Sequence, residues 1–346
     1  MGEAATTLRD GRGRKVRYLR ISITDRCNLR CLYCMPPDRV TPLRHDRILS
    51  YEQILDLADL LIPRGIDKIR LTGGEPLVRR GALDLFARLG ERPLRELTLT
   101  TNGMLLEECA GGLAEAGVRR VNVSLDSLRS DRYREITGSD ELRRVIRGID
   151  RARELGMAVK LNTVVMENKN RDEVGDLLRF AVERSCHVRF IEVMPHVHNA
   201  LVHRRLYVPM QAVLDDLRRI LPVDEMDPGE AGDGSSTERV YRVRGTSATF
   251  GLISPLSRHF CGRCDKIRIT PDGGLKACLF QEGVSLREGL DAYRSGGGAG
   301  ILLGTVAAAL ARKPSRHTLV PTAASWTPES GHPSRGPDLV MHQTGG

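Results

Sequence analysis

The sequence predicts an α/β fold in which a parallel sheet curls into a partial (β/α)6 TIM-like barrel, and three observations support this prediction. Short runs rich in Val, Ile, Leu and Thr alternate six times with helical segments. Polar and glycine residues collect where those runs end, as they do at the C-terminal face of barrel enzymes. The length of 346 residues exceeds what such a barrel needs, so we expect a small C-terminal α+β extension.

Six apolar runs predict the strands of the barrel, because each has the length and the branched side chains of a buried parallel strand. They are residues 18–23, 68–72, 96–100, 120–125, 159–165 and 188–193. Helix starts are predicted at Ser50 with Gln53 and at Asn170 with Glu173, since both pairs have capping-box spacing. A further helix is predicted near 209–221.

The composition changes after that helix. We predict a barrel domain over 1–225, a linker over 226–239 and a C-terminal region over 240–346 with a flexible Gly-Gly tail. The linker prediction depends on acidic, glycine-bearing sequence with few large apolar residues. Further elements are predicted as strands at 240–244, 248–253, 266–270 and 275–279 and a helix at 302–312. A turn at 271–274 predicts that the last two strands form a hairpin.

Composition and charge narrow the function class. No apolar run reaches the 18 residues of a membrane span, and the first residues lack a secretory leader, so we expect a cytoplasmic protein without membrane contact. The net charge of +9 suits an anionic substrate. Aromatic residues make up only 4% of the chain, which disfavours a nucleic-acid module that stacks bases.

Six of the eight cysteines form two triplets, while Cys109 and Cys186 stand alone and are interpreted as small buried apolar residues. The first triplet has the spacing Cys-x3-Cys-x2-Cys, and three thiolates on a four-iron cluster leave one iron open to another ligand. A zinc site completed from a distant residue is the alternative. The second triplet carries a nearby histidine, His259, that could complete a Cys3His zinc site. The triplets are Cys27/Cys31/Cys34 and Cys261/Cys264/Cys278.

Cations alternate with apolar residues along three predicted strands. Arg20, Arg70 and Lys160 each lie between apolar neighbours, so their side chains are expected to point into one interior. A charge buried in a barrel without a partner is costly, which favours a bound anion. Solvent-facing arginines in an arginine-rich protein are the alternative.

The segments TDRCNLRCLYCMP, RLTGGEP, TTNG, VSLDS, RFIEVMP and FCGRCDKIRITPDGGLKACLF, with the final Gly-Gly, resemble the GTP 3′,8-cyclase family of the radical S-adenosylmethionine (SAM) superfamily. The resemblance covers roughly residues 8–280, the stretch 313–317 and the last two residues. It implies a lyase-type enzyme of molybdenum cofactor biosynthesis with two [4Fe-4S] clusters and SAM. Reductive cleavage of SAM would give a 5′-deoxyadenosyl radical that abstracts H3′ of GTP. Bond formation between C3′ and C8 would then yield (8S)-3′,8-cyclo-7,8-dihydroguanosine 5′-triphosphate.

The resemblance also implies a role for each matching residue. Cys27, Cys31 and Cys34 would hold the first cluster and, with Gly345 and Gly346, serve catalysis, while the second triplet would hold a second cluster whose open iron meets guanine. The positions matching SAM contacts are Tyr33, Gly74, Ser124 and Met194. The positions matching GTP contacts are Arg20, Arg70, Thr101, Lys160, Lys266, Ile267 and Arg268, with Arg189 a weaker candidate.

The implied partners are GTP, a reducing electron donor and the downstream cyclic pyranopterin monophosphate synthase, with no nucleic acid or membrane; a homodimer stays open. Two departures bear on GTP affinity: Asp265-Lys266 stands where the family usually has Asn-Arg, and the tail reads MHQTGG. The alternatives are a peptide-modifying radical SAM enzyme with an auxiliary cluster and, further off, a zinc-binding nucleic-acid module. His196, His198 and His203 are interpreted as solvated, because their spacing in a loop is irregular.

Overall fold

The computed structural model describes residues 6–34, 41–194, 203, 205–227 and 237–317. The strands are β1 (Tyr18–Ser22), β2 (Lys68–Thr72), β3 (Glu96–Thr101), β4 (Arg120–Ser124), β5 (Ala158–Val165), β6 (His187–Glu192), β7 (Val223–Glu225), β8 (Arg239–Val243), β9 (Thr249–Ile253), β10 (Lys266–Ile269), β11 (Gly274–Lys276) and β12 (Val284–Ser285). The α-helices are α1 (Tyr51–Leu61), α2 (Ala82–Gly90), α3 (Leu106–Glu115), α4 (Ser130–Thr137), α5 (Leu142–Glu154), α6 (Val174–Glu183), α7 (Met210–Ile220), α8 (Arg287–Arg294) and α9 (Gly300–Ala311).

The described strands form one continuous sheet in the order β12-β11-β10-β1-β2-β3-β4-β5-β6-β9-β8-β7. The eight central strands, from β10 to β9, are parallel, and antiparallel strands follow at both edges. The partial barrel is therefore present. The strands of the C-terminal extension continue the barrel sheet at both edges, and the predicted hairpin of 266–270 with 275–279 is the antiparallel pair β10–β11.

The predicted division into domains stays a prediction. Residues 228–236 of the predicted linker lie outside the described residues. At the end of that segment, Glu238 is buried and its carboxylate lies 3.3 Å from the ammonium of Lys160. The last residues of the segment thus belong to the packed structure.

The alternation predicted for the central strands places their apolar side chains against the helices. Leu19, Ile21, Ile69 and Leu71 are fully buried in the main core cluster. The intervening residues of β1 and β2 face the opposite side of the sheet, because side chains alternate along a strand. None of the described helices is long and apolar enough to cross a membrane.

One of the two predicted capping boxes is confirmed. The Ser50 hydroxyl accepts a hydrogen bond from the Gln53 amide, and the Gln53 side chain accepts one from the Ser50 amide. These bonds satisfy two amides that the first turn of α1 would otherwise leave unpaired.

The capping box predicted at Asn170 and Glu173 is wrong. Asn170 donates instead to the carbonyl oxygens of Asp126 and Val164, at 2.7 and 2.9 Å. Glu173 is buried and accepts hydrogen bonds from the Ser127 hydroxyl and the Leu128 amide. Tertiary partners have taken both side chains, so this pair joins the ends of β4 and β5 and does not cap a helix.

Candidate active site

A cavity of about 290 Å³ opens on the inner face of the sheet, and both cysteine triplets line it. Residues that follow the carboxyl ends of β1, β2, β3 and β4 contribute Cys27, Gly74, Asn102 and Asp126. The barrel edge that the sequence predicted to carry polar residues is thus one wall of a single cavity.

The first triplet lies in the loop after β1, in a tight turn in which the Cys34 amide donates to the Cys31 carbonyl at 3.0 Å. The Cys27 sulfur accepts hydrogen bonds from the Leu29 amide at 3.4 Å and from the Asn102 side chain at 3.7 Å. Amide groups directed at sulfur are typical of iron–sulfur ligands, where they tune the redox potential.

Burial and neighbouring negative groups disfavour free thiolates here. Burial, with Cys27 and Asp126 nearby, raises the pKa of the Cys34 thiol to about 12. A thiol of that pKa binds as a thiolate only when a positive centre stabilises it. The first triplet therefore fits a cationic iron cluster.

The four residues predicted to contact SAM, Tyr33, Gly74, Ser124 and Met194, line the same cavity as the first triplet. The Tyr33 hydroxyl donates to a carboxylate oxygen of Asp126 at 2.8 Å, and the other oxygen of Asp126 accepts the Val164 amide at 2.8 Å. Asp126 is buried, and burial raises its pKa to about 6. The two hydrogen bonds of Asp126 hold Tyr33, the aromatic residue of the cysteine loop, against β5.

Glu75, in the GGEP segment after β2, holds two strand ends together. It is fully buried and accepts hydrogen bonds from the Thr101 hydroxyl at 2.8 Å, the Asn102 amide at 2.6 Å and the Leu77 amide at 3.1 Å. Burial raises the pKa of this carboxyl to about 7. The carboxyl thereby positions the TTNG segment beside the first triplet.

The second triplet lies at the opposite end of the strands. Cys264 precedes β10, and Cys278 follows β11, whose last residue, Lys276, pairs with Arg268. Although burial alone would raise it, the ammonium groups of Lys313 and Lys266 lower the net pKa of the Cys264 thiol. Cys264 is therefore stabilised as a thiolate by nearby cations, whereas burial raises the pKa of Cys278 in the same triplet.

Two cations anchor the loops around the second triplet. Arg14 donates to the carbonyl oxygens of Cys261 and of Pro314, the latter at 2.9 Å. Lys313 is buried, and its ammonium donates to the Lys266 carbonyl at 2.6 Å. The stretch 313–317 thus packs directly against the start of β10.

The thiols of each triplet are spaced more widely than three sulfur ligands on one zinc ion would be. Zinc–sulfur bonds of about 2.3 Å keep two thiolates on one zinc closer than about 4.6 Å. Within the part of the chain that the structure describes, neither triplet forms a group whose ligand atoms all lie within 4.8 Å of one another. A cluster of four irons is larger than one ion and accommodates the wider spacing.

One compact group of ligand atoms was missed by the sequence analysis. His259, Cys261 and His317 place their ligand atoms within 4.8 Å of one another. The Nε2 atom of His317 lies 2.8 Å from the Pro255 carbonyl, while its Nδ1 atom is buried without a hydrogen-bond partner among the described residues. The sequence predicted that His259 could act with the second triplet, but His317 lies 56 residues beyond Cys261 and was not connected with it.

Five of the residues predicted to contact GTP line the cavity: Arg20, Arg70, Thr101, Lys266 and Arg268. The parallel register sets Arg20 between Arg70 and Arg268 on the neighbouring strands. Arg189, the weaker candidate, also lines the cavity. Positive charge is therefore concentrated on the inner face of β10, β1, β2 and β6.

The remaining two predicted GTP contacts occupy different surroundings. Lys160 lies on the same face of β5 as the cavity-lining Asn162, two residues nearer the amino end of the strand. Its ammonium pairs there with the Glu238 carboxylate at 3.3 Å. Ile267 is fully buried in the main core cluster, so its side chain packs between sheet and helices. A contact from Ile267 to a ligand would have to come from its backbone.

Several predicted residues lie outside the described part of the chain: Gly345, Gly346, His196 and His198.

The prediction that His203 is solvated is wrong. Its ring is half-buried, its Nε2 atom lies 3.2 Å from the Val193 carbonyl, and it packs against Tyr207 with ring centroids 5.3 Å apart. Of the lone cysteines, Cys186 is buried as predicted, whereas Cys109 is half-buried against the core.

Comparison with known families divides the chain into two matched regions. The sequence model of the Radical SAM superfamily matches residues 21–181, and that of Molybdenum Cofactor Synthesis C matches residues 186–319. The first region contains the first triplet, and the second region contains the second triplet.

Curated relatives match most of the chain. The GTP 3′,8-cyclase of Geobacter sulfurreducens is 47% identical over 82% of this chain and 86% of its own length. That of Pelotomaculum thermopropionicum is 42% identical over 90% of this chain and 96% of its own length. That of Listeria monocytogenes is 41% identical over 79% of this chain and 82% of its own length.

Among solved structures, SuiB of Streptococcus suis bound to S-adenosylmethionine has a similar fold. The TM-score is 0.59 at 16% identity, and the alignment covers 82% of this chain and 67% of SuiB. At this identity the likeness confirms the partial barrel and carries no information on the substrate.

Proposed function

Because this chain belongs to the GTP 3′,8-cyclase family, a radical SAM family of molybdenum cofactor biosynthesis, we propose that the cavity lined by both triplets holds SAM and GTP between two [4Fe-4S] clusters and performs a lyase-type cyclisation. The observation that supports this most strongly is that both cysteine triplets and the buried cations line one cavity. The family assignment supersedes the peptide-modifying and nucleic-acid-binding alternatives.

At the first triplet, Cys27, Cys31 and Cys34 would ligate three irons and leave the fourth for SAM. A cluster held there would supply the electron for reductive cleavage of SAM. Gly74 brings backbone close to the SAM site because it has no side chain. Tyr33, fixed by Asp126, gives one wall of the site, while Ser124 and Met194 line another part of the same cavity.

At the second triplet, Cys261, Cys264 and Cys278 would ligate a second cluster, and its remaining iron site would be available to the guanine of GTP. Lys266 and Lys313 lower the pKa of Cys264, so this thiol reaches the ligating thiolate form more readily than Cys34 does. The anchoring of the Cys261 carbonyl by Arg14 keeps the loop in place while substrate enters.

Between the two triplets, the cations of three adjacent strands would bind the triphosphate. Arginine suits phosphate because its planar fork donates two parallel hydrogen bonds. Arg20, Arg70 and Arg268 occupy neighbouring register positions and line the cavity, so one phosphate chain can contact all three. Thr101, Lys160 and the Ile267 backbone are proposed as further contacts.

The departure at Asp265-Lys266 has a structural consequence. A carboxylate oxygen of Asp265 lies 3.7 Å from the Lys266 ammonium. The acidic residue therefore offsets part of the charge that Lys266 would present to GTP, and a lysine offers no bidentate fork. We expect weaker GTP binding than an Asn-Arg pair would give, with the same reaction.

The partners follow from the proposed chemistry. The first cluster needs a reducing electron donor, and the cyclised nucleotide would pass to the cyclic pyranopterin monophosphate synthase. Gly345 and Gly346 are proposed to enter the cavity and position groups for radical transfer. A homodimer and a cytoplasmic location stay predictions.

The experiment that tests the proposal compares three cysteine variants purified without oxygen. The wild-type chain should contain roughly eight irons, with matching labile sulfide. Cys27→Ala should abolish SAM cleavage, whereas Cys278→Ala should retain some SAM cleavage and form no cyclised product. Cys109→Ala is the matched control, because this half-buried cysteine belongs to neither triplet.

Two results would contradict the proposal. Bound zinc without labile sulfide would show that the triplets are not iron–sulfur sites. Normal cyclisation of GTP by Cys278→Ala would make the second triplet merely structural.

A further inference from the structure

Tyr18 lies under a group of five cations that we call the cation floor: Arg20, Lys68, Arg70, Lys266 and Arg268. The parallel register places Tyr18 directly between Lys266 on β10 and Lys68 on β2. The three arginines form the next inward-facing row along the same strands. Tyr18 is thus the central residue of the first row, and every other member of the two rows is basic.

Four cations surround the ring of Tyr18. The Lys68 and Lys266 ammonium nitrogens lie 4.7 and 5.4 Å from its centroid. The guanidinium carbons of Arg20 and Arg70 lie 5.2 and 5.3 Å from it. All four distances fall within the range of about 6 Å in which an aromatic face attracts a cation.

The hydroxyl of Tyr18 has a different environment from an ordinary buried phenol. The residue is only 2% exposed, and its hydroxyl has no hydrogen-bond partner among the described residues. A buried polar group without a partner is costly, but a phenolate oxygen among cations gains electrostatic energy. Burial alone would raise the pKa of Tyr18, yet the surrounding cations lower it to about 7.

We propose that Tyr18 is the counter-anion of the cation floor: its phenol loses its proton while the floor is empty and regains it when a polyphosphate chain binds the four floor cations that line the cavity, Arg20, Arg70, Lys266 and Arg268. The inference deepens the proposed function, on which it rests for the identity of the polyphosphate. Binding would therefore take up one proton at Tyr18, and the incoming anion would replace the phenolate as the partner of the cations.

The charged groups on the neighbouring strands agree with this assignment. On β3, Glu96 pairs with Lys68 at 2.8 Å, and before β10, Asp265 lies 3.7 Å from Lys266. Each carboxylate offsets part of the charge of one lysine, while the arginines nearer the cavity face Tyr18 from β1, β2 and β10. Burial beside Arg20 also lowers the pKa of Lys266 to about 8. A measurement of proton uptake alone would therefore not distinguish Tyr18 from Lys266.

An optical test separates Tyr18 from Lys266, since only a tyrosinate gives the red-shifted near-ultraviolet band. The holoenzyme is titrated with and without saturating inorganic tripolyphosphate, which is transparent in this range. Without the anion, one tyrosinate should appear with a midpoint near pH ~7, and tripolyphosphate at pH ~8 should remove it. Tyr241→Phe is the matched control, because Tyr241 is also buried, its hydroxyl donates to the Glu225 carboxylate at 3.2 Å, and burial raises its pKa.

Tyr18→Phe keeps the ring and removes the ionisable group. The tyrosinate signal should disappear in this variant and persist in Tyr241→Phe. At pH ~8, Tyr18→Phe should bind tripolyphosphate up to about tenfold more tightly than the wild type, because no phenolate has to be protonated. If Tyr18 only supported the cations structurally, Tyr18→Phe would bind tripolyphosphate more weakly than the wild type.

The proposal is overturned if no tyrosinate forms below pH ~9, or if its signal survives saturating tripolyphosphate. Both measurements use the wild-type holoenzyme, so a variant that folds poorly does not affect them. Failure of the proposed function looks different: GTP would not bind, while tripolyphosphate would still remove the tyrosinate signal.

Discussion

Replacing Gly74 by alanine should disturb the SAM site through the backbone. A Cβ atom at this position would lie 2.4 Å from the carbonyl oxygen of Arg26 and 2.9 Å from that of Asp25, whereas ordinary contact begins at 3.4 Å. The Gly74 amide also donates to the Thr24 carbonyl at 2.7 Å. The two backbone segments must therefore separate by about 1 Å, and Cys27 directly follows the displaced residue.

The size of the effect follows from that displacement. Overpacking a tight site costs about 1–3 kcal/mol of stability. A misplacement of about 1 Å at a reacting centre costs on the order of 100-fold in rate. We expect Gly74→Ala to retain the second cluster, to lose SAM affinity and to cleave SAM at about one hundredth of the wild-type rate.

The assay combines calorimetric SAM binding, iron content and the yield of 5′-deoxyadenosine under reducing conditions. Gly111→Ala is the matched control: it lies in α3, and an added Cβ meets no atom within 4 Å. That substitution should leave SAM cleavage unchanged and stabilise the helix by up to about 1 kcal/mol. Wild-type SAM affinity and cleavage in Gly74→Ala would refute the reasoning from backbone contact.

Three further outcomes are expected. Lys266→Ala should weaken GTP binding by roughly 10- to 150-fold, and Lys266→Arg should bind GTP at least as tightly as wild type; calorimetry that finds Lys266→Ala unchanged would place the triphosphate elsewhere. Deletion of Gly345 and Gly346 should spare both clusters and SAM binding but remove GTP cyclisation, and near wild-type product formation would return the tail to a disordered role. Burial raises the pKa of Glu75 from 4.5 to about 7, so its stabilising contribution is complete below pH 4.5 and is lost as the pH rises through about 7. Glu75→Gln should therefore remove that slope from denaturant unfolding and cost about 1–3 kcal/mol, since its amide would face the Asn102 amide; an unchanged slope would contradict this.

Strands β1 to β6 were predictable because a buried parallel strand is a continuous apolar run followed by polar residues. For example, β2 is observed over the predicted range 68–72. Its apolar residues, Ile69 and Leu71, are the pattern on which that prediction depended. The predicted helix at 302–312 is observed as α9, and α8 was not predicted, since Arg287–Arg294 is polar over most of its length.

The side-chain partners were harder to predict. The local sequence predicts Asn170 to be a helix cap and Lys160 to be a cation that points into the barrel. Their partners, Asp126 and Glu238, are 44 and 78 residues away in the sequence. Contacts of that range depend on which strands become neighbours, and periodicity does not contain that information.

The recurrence of Lys-Ile-Arg on β2 and β10, with Tyr-Leu-Arg on β1 between them, was a sequence signal that went unused. In a parallel sheet, equal spacing on adjacent strands becomes a row, and the observed register aligns Lys266 with Tyr18 and Lys68. The signal became interpretable only once β10 was known to pair with β1.

That pairing also determines where the two cysteine triplets lie relative to the arginines of β10, β1 and β2. The first triplet follows the carboxyl end of β1, whereas Cys264 and Cys278 flank the amino end of β10, and the two strands run parallel. A strand of five residues, as β1 has, spans about 17 Å, so the triplets bracket the cation rows from opposite ends. A nucleotide whose phosphates contact Arg20, as proposed above, would then lie between the two triplets. Had β10 paired antiparallel to β1, Cys264 would lie at the same end as Cys27, and no such arrangement could form.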